Sequence, residues 1–332
     1  MATNLDTAIA AGSRFLSARR SRDGMWRDFH TAAGASADWV TAFVCAMTRD
    51  CDELRYDARE AVATLAGRQR PNGGWGYNHA VPTDCDSTAW ALLAFRAHEP
   101  PDAGAIAAAL EYVRHHQVWP EGGFATYSKI DGIGRYISEG GEAATGWQLP
   151  HACVTSVALR ALVEHGELRN SREASQARDY LLGAREASGA WMSYWWPGSA
   201  YNTCFALQAL AAFDAIDEAD VLAVGPGHDA GTFEIALDIL TLLLVPGRET
   251  LRASEKVRDR LLGLQQRDGG WPSRPILRIP APTQALPERQ AEWTADGLRG
   301  SGVILGDPRR VFTSAAALSA LARYRAVRLG AS

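Results

Sequence analysis

The sequence reads Gln69-Arg70-Pro71-Asn72-Gly73-Gly74-Trp75, and it repeats this pattern as Gln265-Gln266-Arg267-Asp268-Gly269-Gly270-Trp271. Both segments are full copies of Q-x-x-x-G-x-W. Looser copies keep a glycine two residues before an aromatic residue but lack the glutamine or the tryptophan. They occur as Arg20-xxx-Gly24-Met25-Trp26, Gly122-Gly123-Phe124 and Arg185-xxx-Gly189-Ala190-Trp191. A unit written at least five times along 332 residues indicates a quasi-cyclic repeat architecture.

Each turn follows an amphipathic stretch, as in residues 57–69 and 255–266, where apolar residues recur at three- and four-residue spacing. These stretches predict outer helices that end at the glycine, which suits a left-handed C-cap. We expect the glutamine to bond the last carbonyls of its own helix and the tryptophan to pack over the turn.

The second half of each unit begins with Thr or Ser and continues with small residues. It occurs at Thr88–Phe95, Thr155–Leu162, Thr203–Leu210 and Ser314–Leu321, with a looser copy from Thr41. The hydroxyl at the start can cap a helix, and alanine-rich helices can pack tightly inside a ring. With no strand signal to compete, we predict an all-α fold, an α/α toroid (α6-α6 barrel-like), as one domain over 1–332. The sixth hairpin is expected from 204–271, although 214–250 could instead be a lid or insert.

Bulk composition excludes several classes of protein. A 47% hydrophobic and 22% charged chain with net charge −4 and no Lys/Arg stripe is not expected to bind nucleic acid. The longest apolar stretch, 233–245, is too short for a transmembrane segment, and the N-terminus lacks a secretory signal, so we expect a cytoplasmic protein. Five dispersed cysteines argue against a disulfide framework.

One segment concentrates carboxyl groups at the start of a predicted inner helix: Asp84-Cys85-Asp86-Ser87-Thr88-Ala89. Two buried carboxyls this close cannot both ionise cheaply, so one would stay protonated and serve as an acid. The alternative is that Asp84 and Asp86 only cap the helix.

Together, the turns and the D-C-D-S-T-A segment resemble the squalene-hopene and oxidosqualene cyclases, the class II terpenoid cyclases, and specifically their catalytic toroid domain. Bacterial members carry D-x-D-D-T-A and sterol-forming members D-C-T-A, which places Asp86 at the position of the catalytic acid. The resemblance implies that Asp86 is the general acid and Asp84 its electrostatic partner. It also implies that Trp191-Met192-Ser193-Tyr194-Trp195-Trp196 leads into the aromatic lining of a cavity.

Carbocations need stabilisation without nucleophiles, and aromatic faces provide it. The candidate substrate-binding residues are Trp90, Tyr194, Trp195, Trp196, Tyr201, Phe312, Asp38, Trp39 and His151. Core packing is the alternative for the aromatic residues, and helix capping for Asp38 and His151.

Three departures from the family pattern affect these expectations. Ser87 replaces the second Asp of D-D-T-A, and the histidine that supports the acid in hopene-forming relatives is missing from residues 127–138, so His79 or His151 would have to substitute. In the family, a second helical domain closes the cavity. Here we expect closure by loops and 214–250, by a homo-oligomer or by a partner protein.

The resemblance implies an isomerase, an intramolecular cyclase that starts by protonating an acyclic isoprenoid or prenylated substrate. No cofactor is expected, and Mg²⁺ only if the substrate is a diphosphate, which Lys129 and Arg135 could meet. One alternative is a zinc-dependent prenyltransferase-type enzyme, although Cys85 lies directly beside Asp84 and no Cys-His pair follows at a fitting place. The other is a non-catalytic toroid that binds an isoprenoid or a protein.

Overall fold

The computed structural model describes residues 4–98, 102–137, 143–166, 169–223 and 230–330. The helices are α1 (Asn4–Ala18), α2 (Asp38–Met47), α3 (Arg55–Ala66), α4 (Cys85–Ala97), α5 (Ala103–Arg114), α6 (Gly134–Ile137), α7 (Ala152–Glu164), α8 (Arg172–Gly183), α9 (Ala200–Ala211), α10 (Glu218–Leu222), α11 (Thr232–Leu242), α12 (Arg248–Leu264) and α13 (Val311–Gly330). The strands are β1 (Asp28–Thr31), β2 (Gly34–Ser36), β3 (Trp75–Gly76), β4 (Thr83–Asp84), β5 (Leu277–Ile279) and β6 (Val303–Leu305).

Six inner helices form a closed ring. Helix α2 contacts α4, and the contacts continue through α7, α9, α11 and α13 back to α2. Outer helices α1, α3, α5, α8 and α12 pack on this ring, so the chain alternates between an outer and an inner helix. The predicted all-α toroid is confirmed.

Residue size explains which helices lie inside. In α4, every residue from Ser87 to Phe95 is buried, and three of these nine are alanine, which lets neighbouring helices approach closely. In the outer helix α12, by contrast, only Thr250, Ser254 and Leu261 are buried. The amphipathic stretches therefore cover the ring with one face and meet solvent with the other.

The turn between outer and inner helices is fixed by tryptophan. Trp75 donates its backbone N–H to Thr88 Oγ1 (3.0 Å) and its indole Nε1–H to the Leu65 carbonyl (2.8 Å). Trp26, Trp191 and Trp271 make the same two kinds of bond. The prediction that this Thr caps the inner helix is wrong, because α4 already begins at Cys85 and the hydroxyl serves the turn instead.

The glutamine of the turn bonds the next repeat rather than its own helix. Gln265 Nε2 donates to the carbonyls of Gly269 (2.8 Å) and Ala8 (2.9 Å), which joins the last outer helix to α1 and closes the ring. The prediction that outer helices end at the glycine is also wrong, since α12 ends at Leu264. Gly269 has φ +90° and lies against the Ala11 carbonyl, so a side chain there has no room.

The sixth hairpin comes from α10 and α11, because α11 contacts α9 and α13 in the inner ring. Residues 224–229 lie outside the described part of the chain. The interpretation of 214–250 as a lid is wrong for its described residues, none of which lines the cavity described below.

Short strands do occur, contrary to the sequence-based expectation. Strands β1 and β2, β3 and β4, and β5 and β6 form three separate antiparallel pairs, all in connections between an outer and an inner helix. Across the described residues, no helix is both long and apolar enough to span a bilayer.

Candidate active site

Asp84 is the N-cap of α4. Its Oδ1 accepts a 2.7 Å hydrogen bond from the Ser87 backbone N–H, and its Oδ2 accepts one of 2.7 Å from the Ser87 hydroxyl. Burial raises the pKa of Asp84 to about 7, against the opposing effect of these bonds. Asp84 therefore caps the helix, as the alternative interpretation of the sequence predicted. Both the backbone N–H and the hydroxyl of Ser87 donate to the Asp84 carboxylate.

Asp86 does not cap the helix. It lies in the first turn of α4 and lines a cavity of about 590 Å³, and the part of its side chain that is not buried faces this cavity. Its Oδ2 accepts a 3.0 Å hydrogen bond from the indole Nε1–H of Trp39. Burial, and then the nearby Asp84 charge, raises the pKa of Asp86 well above its usual value, while the Trp39 bond acts in the opposite direction. Its surroundings therefore favour the protonated form of Asp86.

The cavity wall is largely aromatic and aliphatic. Its volume falls within the usual range for small-molecule sites, about 300–1,000 Å³. Three of the residues predicted from sequence line it with their rings, namely Trp39, Trp195 and Trp196. Four aromatic residues that the sequence analysis missed also line it: Tyr77, Tyr127, Tyr136 and Trp147.

A second aromatic layer supports the lining. Trp196 stacks on Tyr201 with ring centroids 4.2 Å apart and on Phe312 at 5.4 Å. Trp90 lies deeper and donates from its indole Nε1 to the Tyr201 hydroxyl at 3.2 Å. Trp90, Tyr201 and Phe312 are fully or almost fully buried and do not line the cavity, so their contribution is to hold Trp196 and Trp39 in place.

The remaining predicted residues lie outside the cavity lining. Asp38 does not cap α2, because its Oδ1 accepts a 2.6 Å bond from Arg68 Nε. His151 stacks on Tyr194 with centroids 3.6 Å apart, and neither of its ring nitrogens has a hydrogen-bond partner of good geometry among the described residues. Burial lowers the pKa of His151 to about 3, so its ring is neutral.

Neither proposed substitute histidine contacts Asp86, but a third histidine lies behind Asp84. His116 Nε2 is 2.8 Å from Asp131 Oδ2, and its Nδ1 is 2.8 Å from the Tyr112 carbonyl. Both partners are oxygen atoms, so a ring nitrogen that carries a proton can donate to the one it faces. The His116 charge favours the ionised form of Asp84. His79 is exposed.

The long connection between α12 and α13 forms part of the cavity wall. It contributes Leu277, Ile279, Pro282 and residues 299–301 to the lining. We call residues 277–301 the lid. A long connection without helical periodicity is often functional, and this signal was available in the sequence.

Hydrogen bonds of Arg278 and Trp147 are among the contacts that tie the lid to the barrel. Arg278 is buried and donates to the carbonyls of Tyr194 (3.0 Å) and Ser193 while pairing with Glu288 at 3.1 Å. In addition, Trp147 Nε1 donates to the Pro280 carbonyl at 3.1 Å.

Charged residues are few around the cavity. Its charged lining residues are Asp84, Asp86 and Arg299, the last of which is exposed on the lid. Lys129 and Arg135 are exposed and do not line the cavity. Within the part of the chain that the structure describes, no three His, Cys, Asp or Glu residues are grouped as metal ligands would be.

No protein-family model and no curated protein matches this sequence. Solved structures are similar. The type II terpene cyclase MstE from Scytonema has a TM-score of 0.86 and 28% identity, over 98% of this chain and 99% of that one. An aspartate-to-asparagine variant of it in complex with geranylgeranyl dihydroxybenzoate, given as the substrate, has a TM-score of 0.86 and 28% identity over 97% of both chains.

A more distant similarity extends to a larger enzyme. The ent-copalyl diphosphate synthase from Streptomyces platensis has a TM-score of 0.61 and 19% identity, over 87% of this chain and 50% of that one. At this identity the match shows the helical toroid fold alone.

Proposed function

The chain is a class II terpenoid cyclase-like protein, and we propose that it cyclises an acyclic isoprenoid chain by protonating one of its double bonds, with Asp86 as the general acid. The observation that carries this proposal is the position of Asp86. A carboxyl whose pKa is raised well above its usual value lines an aromatic cavity, and among the described residues its hydrogen-bond partner is Trp39.

An alkene is a weak base, so the acid must be stabilised as its conjugate base when the proton leaves. Two features of the fold stabilise the Asp86 carboxylate. The Trp39 N–H already bonds one of its oxygens, and the positive N-terminal end of α4 lies at Asp86. A protonated Asp84 would remove the like charge two residues away. Asp84 thereby acts as the electrostatic partner.

The cations that follow protonation would meet the faces of Trp39, Trp195 and Trp196. A cation over an aromatic ring gains about 2 kcal/mol when both are desolvated. The lid forms part of the cavity wall, and exclusion of water there would keep the cation from being quenched before the ring closes. The reaction ends with loss of a proton, so the product keeps the mass of the substrate and the enzyme is an intramolecular isomerase.

The substrate class follows from the lining and from the similar proteins. MstE is described with geranylgeranyl dihydroxybenzoate as its substrate and with merosterolic acid A as its product. A prenylated aromatic acid would suit this cavity, with the chain against the tryptophans and the acidic head near Arg299. This chemistry needs no cofactor, and Mg²⁺ enters only if the head is a diphosphate.

The test is to incubate wild-type protein, Asp86→Asn and Asp238→Asn with linear prenyl alcohols, prenyl diphosphates and prenylated hydroxybenzoates. Asp238 is a matched control, since burial raises its pKa to about 8 but it does not line the cavity. We expect a cyclic product of unchanged mass from wild type and Asp238→Asn, and a loss of at least about 10³-fold in Asp86→Asn.

Other outcomes separate the alternatives. Substrate binding without product in any protein would indicate a non-catalytic isoprenoid-binding toroid. Prenyl transfer that depends on added zinc would indicate a prenyltransferase-type enzyme. Full activity of Asp86→Asn would show that another group is the acid.

A further inference from the structure

A second concave site lies on the outer surface of the barrel, where the first and last repeats meet. It has a volume of about 440 Å³ and shares no lining residue with the cavity that contains Asp86. We call it the seam groove. Its lining comes from α1, from the turn after α12 and from the segment just before α13: Ala11, Arg14, Phe15, Ala18, Arg19, Arg267, Asp268, Gly269 and Arg309. A ligand in this groove would contact both ends of the closed ring.

The seam groove is strongly cationic, although the chain as a whole has a net charge of −4. Four of its lining residues are arginine, and the carboxylate among them is Asp268. That carboxylate is already engaged, because its Oδ2 pairs with Arg310, which does not line the groove, and lies 3.8 Å from Arg19 Nη2. The Arg310 hydrogen bond lowers the pKa of Asp268, so this residue is ionised and neutralised locally. An excess of positive charge therefore remains in the groove.

Two of the four arginines have no carboxylate partner within the part of the chain that the structure describes. Arg14 on α1 and Arg267 in the turn after α12 are both exposed, and neither forms an ion pair there. Guanidinium groups that line one concave surface repel each other, and an anion bound between them relieves the repulsion. The donors of Arg14 and Arg267 are thus available to a ligand.

The other two arginines of the groove are held in place by the fold. Arg309 Nη2 donates a 2.8 Å hydrogen bond to the Arg19 carbonyl, just after the end of α1. The Arg19 guanidinium lies over the Phe15 ring, 4.8 Å from the ring centroid. A side chain that is already fixed loses less conformational entropy when a ligand binds, which favours affinity. The groove therefore combines two fixed guanidinium groups with two that can adapt to a ligand.

This chemistry selects a ligand with several anionic oxygens and little apolar surface. Guanidinium binds phosphate oxygens through two parallel hydrogen bonds, and a cluster of guanidinium groups matches a multiply charged phosphate better than a single carboxylate. The large apolar side chain of the groove, Phe15, is only 4% exposed, and the other apolar lining residues are alanine or glycine. The groove therefore offers no surface for an isoprenoid tail or for the acyl region of a bilayer.

We propose that the seam groove binds a free diphosphate group, as inorganic diphosphate or as the diphosphate of a small polar ester. Arg14 and Arg19 bind it from α1, and Arg267 and Arg309 bind it from the two ends of the connection between α12 and α13. Because the anion binds the folded ring and not the unfolded chain, in which these segments are far apart, it stabilises the closed ring. This site is separate from the proposed cyclisation, and its test does not depend on that reaction.

The test is a titration of the full chain with inorganic diphosphate, measured by isothermal titration calorimetry and by thermal unfolding, with sodium chloride added to hold the ionic strength constant. We compare wild type with Arg14→Gln/Arg267→Gln, which removes the two unpaired cations. The matched control is Arg248→Gln/Arg252→Gln, at exposed positions of α12 outside the groove, with the same change in net charge. Arg299→Gln reports binding in the aromatic cavity instead. Circular dichroism without ligand checks that all variants fold.

We expect wild type to bind diphosphate, with a rise of about 3 °C in Tm at a ligand concentration of about 100 times Kd. The Arg14→Gln/Arg267→Gln variant should bind at least about tenfold more weakly, whereas the control and Arg299→Gln should bind like wild type.

Four results would contradict the proposal: no binding by wild type, full binding by Arg14→Gln/Arg267→Gln, an equal loss in the control pair, or a loss in Arg299→Gln alone, which would place the anion in the cavity. Retention of wild type on phosphatidylglycerol vesicles without any binding of free diphosphate would also contradict it, because the groove would then serve a lipid headgroup.

Discussion

Trp39 and Asp86 belong to different hairpins, yet the indole Nε1–H of Trp39 donates a 3.0 Å hydrogen bond to Oδ2 of Asp86 inside the cavity. The bond favours the ionised form of Asp86, which is the form left after proton transfer. Trp39 also stacks on Tyr77 and packs against Trp196 and Phe312. One residue therefore connects the acid to the aromatic wall.

Replacing Trp39 with Phe keeps a ring in the wall but removes the donor. We expect the pKa of Asp86 to rise further and kcat to fall about ten- to hundredfold, because a hydrogen bond to a charged group is worth about 1.5–3 kcal/mol. KM should change little. Trp90→Phe is the control, since its indole bonds Tyr201 outside the cavity lining. Equal losses of kcat in the two variants would contradict this role.

Arg278 holds the lid through the carbonyls of Ser193 and Tyr194. Arg278→Met should loosen the lid and admit water, so products of substrate mass plus one water should increase in mass spectra. Arg274→Met is the comparison, because Arg274 lies on the same connection and pairs with Glu234 of α11, and neither residue lines the cavity. An unchanged product mixture in Arg278→Met would mean that other contacts keep the cavity dry.

Asp307, together with the nearby Asp28, gives a pH dependence of stability that the Asp307→Asn variant alters. Burial, and then the Asp28 charge, raises its pKa to about 7, whereas in the unfolded chain a carboxyl titrates near pH 4. The folded protein thus keeps a proton that the unfolded chain releases between about pH 4 and 7. The free energy of unfolding attributable to Asp307 therefore falls as pH rises through this range.

The variant Asp307→Asn lacks this titration. Urea unfolding of both proteins across the range should show wild type losing stability relative to the variant as pH increases. A difference between them that stays constant with pH would contradict the raised pKa.

Gly269 combines φ +90° with close approach to the Ala11 carbonyl at the seam where the ring closes. Gly269→Ala should cost about 2–4 kcal/mol in the free energy of unfolding. Gly263→Ala, within α12 and with open space around it, should instead gain about 0.5–1 kcal/mol. Thermal unfolding measures both, and a tolerated Gly269→Ala would mean that the seam is not constrained as described.

The ring of helices could be predicted from the sequence because each repeat indicates which of its two helices is inner and which is outer. Small residues after each turn have to lie inside, and amphipathic stretches before it have to lie outside. The bonding within the turn was not predictable, since Gln265 could have bonded its own helix as well as Ala8. Whether Gln265 bonds its own helix or Ala8 depends on the residue at which α12 ends.

For the site, Asp86 and three tryptophans were predicted to belong to it and do lie at the cavity. Nothing in the sequence distinguishes Trp90 and Phe312 from the aromatic residues that line the cavity. Their burial behind Trp196 depends on how the hairpins pack. Tyr127 and Trp147 lie in irregular connections, where no periodicity tells which side a side chain faces. His116 was missed because its partner Asp131 is 15 residues away.

The most direct measurement of the central claim is cyclisation in deuterium oxide, followed by mass spectrometry of the product. If Asp86 exchanges its proton with solvent and delivers it to a double bond, wild-type product should carry one deuterium bound to carbon, and Asp86→Asn should yield no cyclic product. A cyclic product without deuterium, or equal product from Asp86→Asn, would contradict a reaction initiated by this carboxyl.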